Sequence, residues 1–124
     1  MRVSWRGMAI DVRTRRVYEP PRADDGYRVL IDRVWPRGVA RTRANLDDWM
    51  RDIAPSTELR QWFNHDPARF KQFRTRYRRE LRDHASQLDE LQRRASEGPV
   101  TLLYSARDQE HNNAVVLAEL LRER

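Results

Sequence analysis

The sequence predicts an α/β fold: a small parallel sheet of about three strands, covered by helices on both faces. Two short apolar runs, near residues 27–32 and 100–104, each end abruptly in charged and amide residues. Buried parallel strands end in this way at the edge of a sheet where ligands bind. A long stretch with helical periodicity separates the two runs, and strands separated by helices favour this class. We therefore expect a long helical crossover between two parallel strands.

The 124 residues are sufficient for one domain with a real core, and we expect residues 1–124 to form it. The chain has no cysteine, which excludes disulfides, thiol nucleophiles and thiolate metal sites. No long apolar run or secretory signal is present, so we expect no membrane span and a cytoplasmic location. Three scattered histidines form no metal-binding motif, so neither a metal nor a cofactor is expected.

The strands are predicted from their apolar runs. The first is expected at Met8–Val12, because the following residues 13–16 are too charged to extend it far. The second is expected at Tyr27–Asp32, where consecutive apolar residues are typical of a strand covered on both faces. The third is expected at Val100–Tyr104.

Two short helices are expected between the second strand and the long helix. Asn45 is the expected N-cap of a helix over Leu46–Ile53, with acidic residues in its first turn. Pro55 ends that helix, and Ser56 is the expected N-cap of the next one. Leu59, Trp62 and Phe63 would share one side of this second helix.

The long helix begins at the strong start signal Asp66-Pro67 and is expected to run to about Ser96. Its apolar residues recur at spacings of three and four, with one gap of seven across His84, which indicates one buried face. Gly98 and the proline after it end the helix.

A last helix is expected from about Glu110 to Arg122, with Asp108 or Gln109 at its start. Its expected buried residues are Ala114, Val115, Leu117, Ala118 and Leu121.

The loop after the second strand is the first candidate binding segment. Arg33 and Arg37 flank Trp35 and a stiff proline, so the loop could hold two guanidinium groups near one anion. The alternative is structural: a buried Asp32–Arg33 pair beneath a packed tryptophan.

The segment after the third strand is the second candidate. Ser105, Asn112 and Asn113 are candidate ligand-binding residues, because free N–H groups at a helix start bind anions. Tyr104, Asp108 and His111 could support proton transfer as a catalytic set. The alternative is that Asp108 only caps the helix and that the asparagines bond to loop backbone.

The net charge is +6, and Lys71 is the one lysine among the 25 basic residues. The first half of the long helix is rich in arginine, which is compatible with a nucleic acid or another polyanion as partner. An arginine-biased chain with a solvated basic face is the plainer interpretation.

We therefore expect a small enzyme or a small-molecule binder whose anionic ligand lies at the carboxyl ends of the strands. Nucleic-acid binding through the basic helix is the first alternative. A protein-partner module is the second, with Glu58 and Arg60 beside Trp62 at the interface. A counter-interpretation is structural: Asp32, Arg33, Arg60 and Glu80 form an internal ion network.

Four ordered segments resemble the DUF488 family, in its YeaO-like branch. They are the run 26–38, the stretch 53–67, the part of the long helix around Phe73, Tyr77 and Glu80, and the segment 98–114. The family pattern falls on Asp32, Arg33, Trp35, Pro36, Arg37 and Gly38, on Ser56, Glu58, Leu59 and Arg60, and on Asp108, His111, Asn112 and Asn113.

The resemblance implies a small cytoplasmic bacterial α/β protein and supplies no reaction. Other branches of the family place cysteines around the third strand and the following helix. Tyr104, His111 and Asn112 occupy that region here without any thiol. Cysteine-based chemistry of those relatives therefore does not carry over.

Overall fold

The structure is a computed structural model that describes residues 9–124. Four strands form one sheet in the order β1-β4-β2-β3, and all neighbouring pairs are parallel. The predicted α/β class and parallel sheet are confirmed, with one strand more than the three expected. The strands are β1 (Val12–Arg16), β2 (Tyr27–Leu30), β3 (Asp48–Trp49) and β4 (Val100–Tyr104).

Five α-helices connect these strands within the described residues. They are α1 (Arg41–Ala44), α2 (Thr57–Phe63), α3 (Phe70–Leu81), α4 (Ala85–Glu97) and α5 (Asn113–Glu123). None of the helices in this part of the chain is long and apolar enough to cross a membrane.

The two faces of the sheet are covered unequally. The larger core joins one face, which includes Val29 and Leu102, to the apolar sides of α2, α3, α4 and α5. The smaller core lies on the other face, around Leu30 and Leu103, where the short α1 and irregular chain cover the sheet. Helices therefore lie on both faces as predicted, but one face carries almost all of them.

The first strand begins later in the chain than its apolar run predicts. The strand occupies Val12–Arg16, four of whose five residues are polar, and Met8 lies outside the described residues. Arg13 and Arg15 extend the strand because carboxylates neutralise both of them: Asp11 bonds the first and Asp25 the second. The charges that were expected to end the strand are therefore neutralised at these two positions in the folded chain.

The helix predicted over Leu46–Ile53 is wrong. Asn45 adopts a left-handed conformation (φ 49°) at the C-terminal end of α1, not an N-cap. The following chain forms strand β3, in which Trp49 pairs with Leu30. Tertiary contacts override the local signals, because Met50 N donates to Leu30 O at 2.9 Å and Trp49 Nε1 donates to Asp32 O at 2.7 Å.

The long crossover is helical from Pro67 to Glu97, close to the expected range. A 3₁₀ turn at Arg82–His84 separates α3 from α4, and His84 leaves helical geometry (φ −122°, ψ 36°). This turn coincides with the gap of seven in the apolar pattern. Ser56 and Asp66 are N-caps as predicted: their side chains accept from Leu59 N and Ala68 N.

The last helix begins three residues later than predicted. Its N-cap is Asn112, whose side chain accepts from Val115 N at 3.0 Å. Asp108 instead caps a separate turn, where Oδ1 accepts from the backbone N–H groups of Glu110 and His111. The buried face includes Val116 where Val115 was expected.

Candidate functional site

A cleft of about 360 Å³ opens at the carboxyl ends of the strands. All four strands contribute to it, since its lining includes Tyr18 after β1, Asp32 after β2, Pro55 after β3 and Ser105 after β4. This is the position at which open parallel sheets bind ligands. The volume also falls in the range of small-molecule sites, which is roughly 300–1,000 Å³.

The floor of the cleft is a hydrogen-bonded group around Asp32. Asp32 Oδ2 accepts from Ser105 N at 2.9 Å and from Ser105 Oγ at 2.6 Å. Asp32 Oδ1 accepts from Asn113 Nδ2 at 3.1 Å, and the same amide also donates to Ile31 O at 2.9 Å. These bonds join the ends of β2 and β4 to the start of α5. They also hold the carboxylate in one orientation.

The loop after β2 forms one wall, and its shape is set by tryptophan packing. Trp35 Nε1 donates to Val39 O at 2.8 Å, and its ring contacts the Trp49 ring edge-on at 5.2 Å between centroids. The Arg41 guanidinium covers the Trp35 ring at 4.4 Å. Gly38 supplies the positive φ of 78° that the turn requires. These contacts are consistent with the stiff loop that the sequence predicts.

Three arginines line the cleft: Arg33, Arg37 and Arg60. Arg33 donates to Pro55 O and Ala54 O at 3.2 and 3.1 Å, so backbone carbonyls hold its guanidinium in place. Within residues 9–124, the guanidiniums of Arg37 and Arg60 donate no hydrogen bond and form no ion pair. Asp32 is the one carboxylate among the described lining residues, so the cleft is positively charged.

The cleft also exposes apolar surface. The two large apolar or aromatic side chains with the greatest exposure in the described chain are Val34 at 53% and Tyr18 at 45%, and both line this cleft. The buried rings of Phe63 and Phe73 also line the cleft and stack on each other at 4.3 Å between centroids. An exposed apolar patch beside unpaired cations is typical of a binding surface.

The cleft contains the six side chains that the sequence predicts to bind a ligand. Asn112 is one of them, but its amide is used internally: it donates to Asp108 O at 2.9 Å and accepts from Val115 N. Among the other lining residues, Asn113 keeps its carbonyl oxygen without a donor from residues 9–124. The six are Arg33, Trp35, Arg37, Ser105, Asn112 and Asn113.

The predicted proton-transfer set does not line this cleft. Tyr104 is 2% exposed in the larger core, and its burial raises the pKa of the phenol. Asp108 and His111 do form a pair, with Oδ2 and Nδ1 2.9 Å apart, and the imidazole packs edge-on against Phe70. The Glu110 backbone N–H bond lowers the pKa of Asp108, with His111 contributing further. The proton-transfer role of these three side chains stays a prediction, located outside the lining of this cleft.

The internal ion network is not observed. Asp32 bonds Ser105 and Asn113, while both carboxylate oxygens of Glu80 accept from the N–H and hydroxyl of Ser56, at 2.8 and 2.6 Å. Among the described residues, neither carboxylate forms an ion pair with Arg33 or Arg60. Asp32, Arg33 and Glu80 are bonded to neutral partners instead.

Two of the five basic residues of α3 form ion pairs with α5. Arg74 bonds Glu119 at 3.0 Å, and Arg78 bonds Glu123 at 2.7 Å. These ion pairs neutralise two of the positive charges on which binding of a polyanion would depend.

Tyr18 and Arg60 are among the lining residues that the sequence does not predict for the cleft. From the sequence, Arg60 is predicted to belong to a partner interface or an ion network. Its position one turn after the Ser56 cap is also compatible with a site beside Pro55. Tyr18 carried no sequence signal at all. It reaches the cleft because its hydroxyl donates to Arg37 O at 2.9 Å, which is a tertiary contact across 19 residues.

Comparison with known proteins places this chain in a family. Residues 11–124 match DUF488-N3i, described as the inactive DUF488-N3 subclade. The chain belongs to this family. It is 43% identical over 113 residues to the uncharacterized protein YeaO of Escherichia coli (strain K12), covering 91% of this chain and 98% of that protein.

A mycobacterial relative is equally similar. The uncharacterized protein Rv3073c of Mycobacterium tuberculosis (strain H37Rv) is 44% identical over 113 residues, covering 91% of this chain and 95% of that protein. No solved structure matches the chain. The resemblance to the DUF488 family drawn from the four motifs is therefore confirmed, and the relatives' names carry no activity.

Proposed function

We propose that this protein binds a small anionic ligand in the cleft at the carboxyl ends of its strands, without converting it. The observation that carries this proposal is the pair of unpartnered guanidiniums, Arg37 and Arg60, beside a third one already held by backbone carbonyls. Guanidinium groups bind phosphate and carboxylate in two-pronged geometry. The lining carboxylate of Asp32 is engaged by three hydrogen bonds and does not neutralise them.

Binding without turnover agrees with two observations. The acid–base candidates Tyr104, Asp108 and His111 lie outside the lining of the cleft. The family is described as an inactive subclade. The expected cytoplasmic location stays a prediction, which cell fractionation would check.

A thermal-shift screen tests the proposal. The protein is titrated with inorganic phosphate, phosphate esters and carboxylates at two salt concentrations. A ligand at 100-fold its Kd stabilises the protein by about 2.7 kcal/mol. We expect one small anion to give a saturable shift that is reduced in Arg37→Ala, with the ligand recovered unchanged after incubation.

Arg79→Ala is the matched control, because Arg79 is exposed on α3 and does not line the cleft. This variant removes one positive charge and should leave the anion shift intact. A shift produced only by single-stranded DNA at low salt, and weakened in Arg79→Ala but not in Arg37→Ala, would contradict the proposal. It would move the binding surface to the basic helix.

A further inference from the structure

The positive charge of the cleft is divided between its two ends. Arg37 is tied to the β1 side of the sheet, because its carbonyl accepts from Tyr18 Oη at 2.9 Å and Tyr18 lies two residues after β1. Arg33 is tied to the opposite side, because Ala54 and Pro55 accept its hydrogen bonds and both follow β3. The backbone of Arg37 and the guanidinium of Arg33 are therefore anchored at different ends of one cleft.

Arg60 adds to the second end. It lies on α2, one turn after the N-cap Ser56, which directly follows the carbonyls that hold Arg33. The exposed His65, just after α2, also lines the cleft. The β3 end thus has two guanidiniums and the β1 end has one.

The strand order gives the separation of these ends. β1 and β3 are the outer strands, with β4 and β2 between them. Adjacent strands lie about 4.8 Å apart, so the outer strands are separated by roughly 14 Å. One phosphate or carboxylate group does not span such a distance, so cations anchored beside different outer strands would need separate anionic groups.

The middle of the cleft disfavours an anion. Asp32 and Ser105 follow the central strands β2 and β4, and the Asp32 carboxylate lies between the two cationic ends. Like charges close together repel. The carbonyl oxygen of Asn113 lies beside this carboxylate without a donor from the described chain, so both groups suit a ligand that donates hydrogen bonds at its centre.

From this division of charge we infer that the ligand carries two anionic groups, one at each end, joined by an uncharged spacer with hydroxyl or amide donors. The inference rests on the proposed function and specifies its ligand class. The exposed side chains of Val34 and Tyr18 would cover the carbon skeleton of such a spacer. A sugar with a phosphate on each terminal carbon is the simplest molecule of this kind.

Calorimetric titration with fructose bisphosphate, phosphorylated at both terminal carbons, tests the inference against fructose monophosphate. We expect the bisphosphate to bind with a Kd at least about tenfold lower. Ethylene glycol bisphosphate has two phosphates on a spacer too short to reach both ends, and should bind no better than the monophosphate.

The arginine variants separate the two ends. Arg37→Ala and Arg60→Ala should each weaken bisphosphate binding to about the level of the monophosphate. The monophosphate should lose most of its affinity in only one of the two variants. Arg79→Ala should change neither ligand, and unaltered circular dichroism would show that each variant is folded.

Failure of the inference can be told apart from failure of the proposed function. Equal affinities for the mono- and bisphosphate, with both arginines contributing to one phosphate, would overturn the two-ended ligand and leave anion binding standing. The absence of saturable binding by either sugar phosphate, together with no shift from any anion in the thermal screen, would overturn both.

Discussion

Two arginine-rich regions of this sheet differ in whether their arginines are buried and paired or exposed and unpaired. At the start of β2, Arg28 is 3% exposed and each of its three guanidinium nitrogens donates a hydrogen bond: to Asp25, to Ala44 O at 3.0 Å and to Asn45 O at 3.0 Å. In the cleft, the guanidinium of Arg37 is exposed and has no acceptor within residues 9–124. A buried charge must be paired and hydrogen-bonded, whereas an exposed one is stabilised by water. The first region therefore stabilises the fold, and the second is available for a ligand.

The buried region is also organised around one carboxylate. Asp25 is 2% exposed and accepts from Arg15 Nη1 at 2.8 Å, from Arg22 N at 2.8 Å and from Arg28. Burial alone would raise the pKa of Asp25, but these hydrogen bonds outweigh it and lower the pKa. Within residues 9–124, no carboxylate forms an ion pair with the arginines of the cleft.

The largest expected effect comes from breaking the buried region. Asp25→Ala leaves Arg28 as a buried cation without its carboxylate, which should lower the free energy of unfolding by about 3–5 kcal/mol. Urea denaturation measures this change. Arg37→Ala is the matched comparison, and a surface substitution of this kind should cost less than about 0.5 kcal/mol. Equal losses in the two variants would contradict the contrast between the regions.

Two glycines sharpen the comparison, because each region has one with positive φ. A Cβ on Gly26 (φ 66°) would lie 2.2 Å from Pro99 O, whereas a Cβ on Gly38 (φ 78°) meets nothing within 4 Å. Gly38→Ala should cost about 1 kcal/mol through backbone strain alone. Gly26→Ala should cost about 3 kcal/mol or more, since the Pro99 backbone must also move. A smaller loss at Gly26 than at Gly38 in thermal denaturation would show that the buried region adapts easily.

Asp32→Asn should affect stability moderately and binding in the opposite direction. The carboxylate of Asp32 accepts three hydrogen bonds from Ser105 and Asn113. The NH₂ group of the new amide would face one of these donors and could not accept its hydrogen bond. We expect a loss of about 1–3 kcal/mol in unfolding free energy. Removal of the negative charge should strengthen binding of a monophosphate, measured by calorimetry. Weaker monophosphate binding in a folded variant would mean that Asp32 itself contacts the ligand.

The smallest expected effect is on the pH dependence of stability. Since the pKa of Asp25 is lower in the folded chain, its contribution is complete above the ordinary value of about 3.9. The contribution is lost as the pH falls from there through the lower folded pKa. Urea denaturation at pH values from about 6 to about 3, a range that includes the ordinary pKa of aspartate, should show a lower free energy of unfolding at the acid end. Asp25→Asn, which has no titrating group there, should show a shallower fall.

Local sequence patterns were sufficient to predict much of this fold. The apolar runs of β2 and β4, the caps Ser56 and Asp66, and the helical periodicity from Pro67 onward all depend on residues close together in the sequence. The loop around Trp35 and its arginines could be predicted as part of a cleft for the same reason. Parallel strands that end in polar residues place those residues at one edge of the sheet.

Contacts between distant residues decided the rest. Arg15 belongs to a strand because Asp25, ten residues away, neutralises it. The start of α5 is fixed by Asn112 and by the bond from Asn113 to Ile31 O, 82 residues away. Tyr104 is buried because its position in β4 turns the side chain toward the larger core.

The sequence by itself determined the α/β class, the parallel sheet edge and a cationic segment at that edge, because periodicity and capping act over a few residues. The tertiary structure alone decided the strand order and the addition of Tyr18 and Arg60 to the cleft. Those features depend on which distant groups satisfy each other's charges and hydrogen bonds, and only the folded chain brings such groups together.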